Sequence, residues 1–358
     1  MASLMKLALL SIAVIPTFSY PILSPPTILP RIDYSASEPS VPLGLRSESP
    51  YLEIGDYKLS ELVRIGQGDY GIVFKGKAKK KLGYGSIDIA MKVCQEAAIA
   101  SCKLEVKVLQ ELHGKVPGGI PEVYASSDST VNDRPGFSFI MTLEKGGTLK
   151  GKSAIYSEQE KPEDKHSNLV KLWTTLEEIH DAGWAHRDIF SSNMAFSDKR
   201  EAGQPFGPMV FLDFGQASDA SRTTTPVGIT LKYAAPEEVA LINAQHYDRR
   251  VVGIDPKLGD VWSLGCITWQ LIRGSECTWA KENENYNLDE EKFTEIIKDK
   301  LKVGDETVHD DLAKWFAGVL AGSRTRLTSK QAREQFEKID AGHLPVVPPY
   351  YDSDSDSD

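Results

Sequence analysis

The sequence predicts an α+β fold in two unequal parts, a small antiparallel β-sheet followed by a larger, mainly α-helical part. Three observations predict it. Short strand-like runs, YKLSELVRIG, GIVFKGKA and DIAMKVC, follow one another between turns that contain Gly or Lys. A glycine break, EKGGTL, closes that region and marks a hinge near residues 142–147. Beyond it, apolar residues recur at helical spacing in NLVKLWTTLEEIHDAG, DVWSLGCITWQLIRG, EEKFTEIIKDKL and DLAKWFAGVLAG. A chain of 358 residues, 41% hydrophobic and 26% charged, has ample apolar material for such a core.

In chain order, residues 1–19 read as an export signal. Lys6 precedes a nine-residue apolar run, Leu7 to Ile15; Pro16 ends it, and small or neutral residues lead to a cleavage point after Ser19. A membrane span needs roughly 17–25 apolar residues, and prolines 16, 21, 25 and 26 interrupt any longer helix. The expectation is a secreted or secretory-pathway protein with no membrane span once the signal is removed. The alternative is an N-terminal core helix of an intracellular protein. Residues 20–56 are rich in Pro and Ser and read as an extended linker. The β-rich lobe is expected over 57–143 and the helical lobe over 144–342. The acidic, low-complexity stretch 343–358, ending DSDSDSD, is expected to be disordered.

The formal net charge of −10 argues against a general nucleic-acid binder. The basic run KGKAKKK, Lys75 to Lys81, reads either as a phosphate-attracting or localisation patch or as a solvated hairpin. Four cysteines do not make a disulfide-dense framework. Cys266, within VWSLGCITWQLI, is expected to be a buried free thiol, while Cys94, Cys102 and Cys277 are left open to pairing in an oxidising compartment. No two Cys or His residues stand at zinc-ligand spacing.

The residues that carry chemistry come in one order. Gly66, Gly68 and Gly71 lie between two predicted strands in IGQGDYGIVFKG, where backbone amides can approach phosphates. Lys92 sits mid-strand in IAMKV. Glu105 shares a helical face with Val108, Leu109 and Leu112, so its carboxylate projects inward and needs a partner, for which Lys92 is the nearest candidate. HRDIFSSN brings Asp188 and, five residues on, Asn193; MVFLDFG ends a strand with Asp213. Asn193 and Asp213 offer the oxygen ligands that suit Mg²⁺. Asp188 is placed to accept a proton from an attacking hydroxyl. AAPEE with Glu237, GDVWSLG with Asp260, and Arg326 complete the series.

From about Tyr57 to Ala341 these motifs resemble a eukaryotic protein kinase domain of the Ser/Thr type. The resemblance implies ATP as phosphate donor, Mg²⁺ as cofactor and protein hydroxyls as acceptors, with the oligomeric state open. It makes Gly66, Gly68 and Gly71 the phosphate-covering loop, Val73 and Ala90 adenine contacts, Met141 the gatekeeper, and Thr142 to Glu144, Leu143 among them, the adenine hinge. Lys92 and Glu105 become the ion pair of the active state, Asp188 the catalytic base, and Asn193 and Asp213 the metal ligands. Leu109, His186 and Phe214 are expected to stack between the lobes with Asp260 beneath, and Glu237 to pair with Arg326 as a structural bridge. Thr230 matches a Thr near the substrate in Ser/Thr kinases, and Thr223, Thr224 and Thr225 are candidates for a regulatory phosphate that Arg187 would receive.

The sequence also departs from that pattern. Phe190 and Ser192 stand where Ser/Thr kinases carry a Lys and tyrosine kinases an Arg. Losing a comparable charge-stabilising contact costs roughly 10²–10³ in rate. Ala195 replaces a larger residue under the adenine. Two functions therefore stand side by side: a working exported kinase, and an exported pseudokinase that binds nucleotide or a partner without turnover. A small-molecule phosphotransferase fits less well, because APE and DVWSLG belong to a protein-substrate platform.

Overall fold

The computed structural model describes residues 52–68, 71–131, 134–199, 204–220, 230–246, 254–277, 279–280, 288–302 and 308–346. The expected signal, the linker up to residue 51, Thr223 to Thr225 and the DSDSDSD tail lie outside them.

The first lobe is a six-stranded antiparallel sheet with one helix on its face. Strands β1 (Leu52–Ile54), β2 (Tyr57–Gly68), β3 (Gly71–Lys80) and β4 (Ile87–Gln95) precede helix α1 (Ile99–Leu112), and β5 (Val123–Val131) and β6 (Arg134–Thr142) follow it. The spatial order is β1-β2-β3-β4-β6-β5. The expected linker thus gives way at Leu52 rather than after residue 56, because Leu52 to Ile54 pair with Tyr57 to Leu59. The lysine run lies on the β3 hairpin, where Lys77 meets Glu61 and Lys81 meets Glu53, so it is a solvated, partly paired hairpin arm.

Strand β4 decides the chemistry of this lobe. Its side chains alternate faces with a period of two. Ile89, Met91 and Val93 enter one apolar cluster with Phe74 and Ile140, whereas Ala90 and Cys94 enter another with Cys102 and Val106 of α1. Lys92 falls in the second phase and so faces α1. The helix ends at Leu112, and Gly114 at φ +77° takes the chain away in the left-handed region that favours glycine.

The second lobe contains α2 (Ser153–Gln159), α3 (Pro162–Asp181), β7 (Trp184–Ala185), β8 (Met194–Phe196), β9 (Met209–Phe211), β10 (Ser218–Asp219), α4 (Pro236–His246), α5 (Pro256–Arg273), α6 (Glu290–Leu301), α7 (Asp310–Val319) and α8 (Ser329–Phe336). Helix α5 is its axis. Asp255 caps it by accepting from the Lys257 amide, Pro256 takes the first turn, and almost every residue from Gly259 to Ile272 is buried. Its own Trp262 and Trp269, with Trp173 of α3 and Trp315 of α7, fill the core. Helices α2 and α8 are too short and polar to be read from periodicity; α8 forms because Thr328 and Gln331 make a reciprocal capping box. The body also runs past the expected boundary at 342, since Leu344 is buried in the core. Among the described residues no helix is long and apolar enough to cross a membrane.

The expected free thiol at Cys266 is corrected. Cys266 is bonded to Cys277, and Cys94 to Cys102. Gly274, left-handed at φ +71°, ends α5 and turns the chain back so that Cys277 returns beside the last turns of the helix. No periodicity argument reports such a reversal.

Candidate active site

The site is assembled where the edge of the sheet meets the short loops of the helical lobe. Gly66 pairs with Val73, and Gly68 with Gly71, at the end of the β2–β3 hairpin. Of the three glycines, Gly71 is the one the backbone demands. Its φ is +155°, and a Cβ there would stand 2.3 Å from the Val93 carbonyl oxygen. The hairpin therefore lies directly on β4. Val73 and Leu143 pack against Ala90 and Met141 in one apolar cluster, on neighbouring strands whose register pairs Ala90 with Met141. This is a flat, apolar wall of the kind an aromatic base needs. Ala195 on β8 is buried and bridges to Thr148 just beyond the hinge.

Lys92, nearly inaccessible itself, donates to Glu105 Oε2 at 2.7 Å and lies 3.0 Å from Asp213 Oδ1. Burial works against the Lys92 charge, but the Glu105 and Asp213 carboxylates outweigh it and hold the ammonium's pKa above its ordinary value. Glu105 feels the same burial with the opposite sign. Its carboxyl is pushed up to about 7, and Lys92 and the Phe214 backbone pull against that rise. The pair is thus a cation held charged by more carboxylate than it needs, which suits a group that must also meet anionic phosphate oxygens.

In the catalytic loop, Asn193 Nδ2 donates to the Asp188 backbone oxygen at 3.0 Å and to its Oδ2 at 2.9 Å. Thr230 Oγ1 donates to the other carboxylate oxygen at 2.9 Å. Asp188 is clamped from both sides. Burial raises its pKa, Asp213 adds to the rise, and the Thr230 and Asn193 hydrogen bonds and His186 oppose it. Because both donated bonds use the amide nitrogen, Asn193 Oδ1 is left as an acceptor for a cation. The Leu212 amide donates to the Asn193 carbonyl at 2.8 Å, which brings Asp213 beside Asn193. The donor set, one amide oxygen and one carboxylate, fits Mg²⁺, a hard cation that takes few protein ligands.

The loop is held from below. Asp260 on α5 accepts from the His186 and Arg187 amides, each at 2.7 Å, and meets His180 Nε2 at 3.0 Å. Arg187 and Asp213 both adopt positive φ, +68° and +59°, conformations a non-glycine residue keeps only when its surroundings enforce them. The His186 and Phe214 rings pack with centroids 4.6 Å apart but tilted by 49° rather than stacked as expected, and Leu109 and Phe214 share one buried cluster. Glu237 and Arg326 form a two-pronged bridge at 2.6 and 3.0 Å.

Three contributors escape sequence reasoning. Ser101 Oγ, on the first turn of α1, donates to the Gly215 carbonyl at 2.8 Å. His180 supports Asp260, and Glu238 Oε2 accepts from the Ala235 amide at 2.8 Å. Only Glu238, beside a recognisable motif, carried any sequence signal.

A family model for the protein kinase domain matches residues 59–336. The chain belongs to the protein kinase family. It is 28% identical over 216 residues to rat mitogen-activated protein kinase 12, covering 60% of this chain and 53% of that protein. It is 27% identical over 226 residues to CDPK-related kinase 1 of Arabidopsis thaliana, 61% of this chain and 35% of that one. With mouse cyclin-dependent kinase 11B it shares 26% over 257 residues, 67% and 29% of the two chains. The chain therefore spans about half, or less, of the relatives it matches. Within the kinase fold, Phe190 is the clear departure: it turns into the helical lobe and packs near Tyr233, ring centroids 6.2 Å apart.

Proposed function

We propose that this chain is an ATP-dependent protein kinase that phosphorylates Ser and Thr hydroxyls of protein substrates in an oxidising, secretory or extracellular compartment. The observation that carries the reading is Asp188, presented between Asn193 and Thr230 beside a fully formed Lys92–Glu105–Asp213 triad. Asp188 accepts the proton of the substrate hydroxyl as its oxygen forms a bond to the γ-phosphorus. The bond from that phosphorus to the β–γ bridging oxygen breaks, and ADP departs with the electron pair. Lys92 aligns the α- and β-phosphates, and the Ala90–Met141 wall orients the base. Asn193 and Asp213 would hold Mg²⁺, which neutralises phosphate charge when bound.

Thr230 supports Ser/Thr rather than Tyr acceptors, because it matches the Thr that Ser/Thr kinases place near the substrate and its hydroxyl donates to Asp188 at 2.9 Å. Paired cysteines in both lobes support the oxidising destination, since intracellular thiols are ordinarily kept reduced. Phe190 favours the second reading, a binding module without turnover.

Phosphate transfer from labelled ATP with Mg²⁺ to a mixed Ser/Thr/Tyr peptide pool decides between them. The full chain is compared with Asp188→Asn and Asp213→Asn. Label on Ser or Thr from the wild type alone is expected. Nucleotide binding without label from any of the three would establish the pseudokinase.

A further inference from the structure

Two cross-links join β4 to α1, and one is covalent. Lys92 and Cys94 lie two apart on β4 and so on one face of the sheet. Cys102 and Glu105 lie three apart on α1 and so on one face of the helix. Lys92 meets Glu105 at 2.7 Å, and Cys94 is bonded to Cys102 with the Cα atoms 6.6 Å apart. The ion pair and the disulfide are adjacent rungs between the same two elements.

Building on the kinase reading, we propose that the Cys94–Cys102 disulfide is a positioning clamp that holds Glu105 against Lys92, so that the oxidised chain is locked in its active arrangement. Transfer in this family requires the Lys–Glu pair in place, and placing the helix that carries the Glu controls it. A disulfide restricts its Cα atoms to separations below about 7 Å. Cys102 is about 4.5 Å along the helix axis from Glu105. Any sliding or outward translation of α1 that would part the ion pair must therefore first break the S–S bond. A third tie closes the remaining freedom: Ser101, next to Cys102, donates to Gly215 of the metal-binding loop. The clamp also supports the phosphate-covering hairpin, because a Cβ at Gly71 would sit 3.3 Å from the Cys94 Cα.

Both cysteines are fully buried. A reductant reaches them only when the lobe opens, so the bond acts as a standing lock. Opening it takes two electrons and two protons, supplied by a dithiol that leaves as its cyclic disulfide, and yields two thiols. The Cys266–Cys277 bond lies in the other lobe and touches none of these groups, which makes it an internal control.

The test compares three oxidised full-length proteins: wild type, Cys94→Ala/Cys102→Ala and Cys266→Ala/Cys277→Ala. Amide hydrogen exchange over residues 99–112 is measured alongside kcat and peptide KM. The clamp predicts α1 exchange faster by on the order of tenfold in the first variant, with α5 unchanged. It predicts a kcat lower by on the order of tenfold at a KM within about twofold. The second variant should melt earlier yet keep the wild-type α1 exchange and kcat. Exchange and kcat in Cys94→Ala/Cys102→Ala that match wild type would overturn the proposal, as would free thiols at both positions in the folded wild type. If that variant does not fold, Cys266→Ala/Cys277→Ala unfolded in denaturant, reduced with dithiothreitol and refolded in its presence, with free thiols at Cys94 and Cys102 verified by alkylation, gives the same comparison. Should the wild type transfer no phosphate, the exchange data still decide the clamp, and only the kinase reading fails.

Discussion

Asp260→Asn is the most informative single substitution, because it keeps the shape of a buried side chain and changes only what it can accept. Asp260 takes three hydrogen bonds, from the His186 and Arg187 amides and from His180. An Asn offers one oxygen. If that oxygen stays toward His186 and His180, its NH₂ faces the Arg187 N–H, donor against donor. One charge-assisted bond is lost, at about 1.5–3 kcal/mol, and a buried N–H is left unmade at about 1–3 kcal/mol. Relief of the buried charge offsets part of this, which leaves a net loss of roughly 2–4 kcal/mol. For a body of this size that lowers Tm by roughly 5–15 °C. Activity should fall further than stability, because Arg187 at φ +68° is held by this bond and Asp188 follows it in the chain. We expect kcat down by on the order of 10² under conditions where the variant is still folded. Thermal unfolding followed by circular dichroism, with initial rates at saturating ATP, reads both. A Tm within a degree or two of wild type and an unchanged kcat would refute the view of Asp260 as anchor of the catalytic loop.

Three further outcomes follow from the same geometry. Phe190→Lys should raise kcat by on the order of tenfold or more by restoring a cation near the transferred phosphate, at a packing cost of about 1–2 kcal/mol; steady-state rates and urea unfolding test the two halves separately. Burial raises the Asp188 pKa, so protonation disables the base at a higher pH than for an exposed carboxylate, and kcat/KM should fall on the acidic side from above the ordinary Asp range; a profile flat to pH 4 would contradict that. Glu238 is pushed up to about 7, first by burial and then by Asp260 and Glu237, against the Ala235 amide and Arg326. A carboxyl raised on folding contributes stability that is fully present below its unfolded pKa and is lost as pH rises from 4.5 through about 7, so wild-type Tm should drop between about pH 4.5 and 7 and level off above it, and Glu238→Gln should flatten the drop.

Much of the site was legible in the sequence, for a definite reason. Helical spacing turns Glu105 inward, an inward carboxylate needs a partner, and Lys92 on the preceding strand is the nearest candidate. Lys92, Asp188, Asn193 and Asp213 each sit in a short motif whose order along the chain resembles that of a protein kinase. What was not legible depends on loops returning to distant elements. Cys266 read as a lone thiol in an apolar helix, and only the reversal after Gly274 brings Cys277 to it. Ser101 gives no local sign that it will meet Gly215, more than a hundred residues on.

The sequence alone determined the two-lobed α+β architecture and pointed to the candidate reacting groups, because periodicity and short motifs are local properties. Only the tertiary structure decided how those groups are held. Asp188 is oriented by Thr230, the catalytic loop is hung from Asp260, and α1 is bolted to β4 by a disulfide beside the ion pair. Each of these bonds joins segments that approach one another only when the core packs, and no spacing along the chain encodes a distance across it.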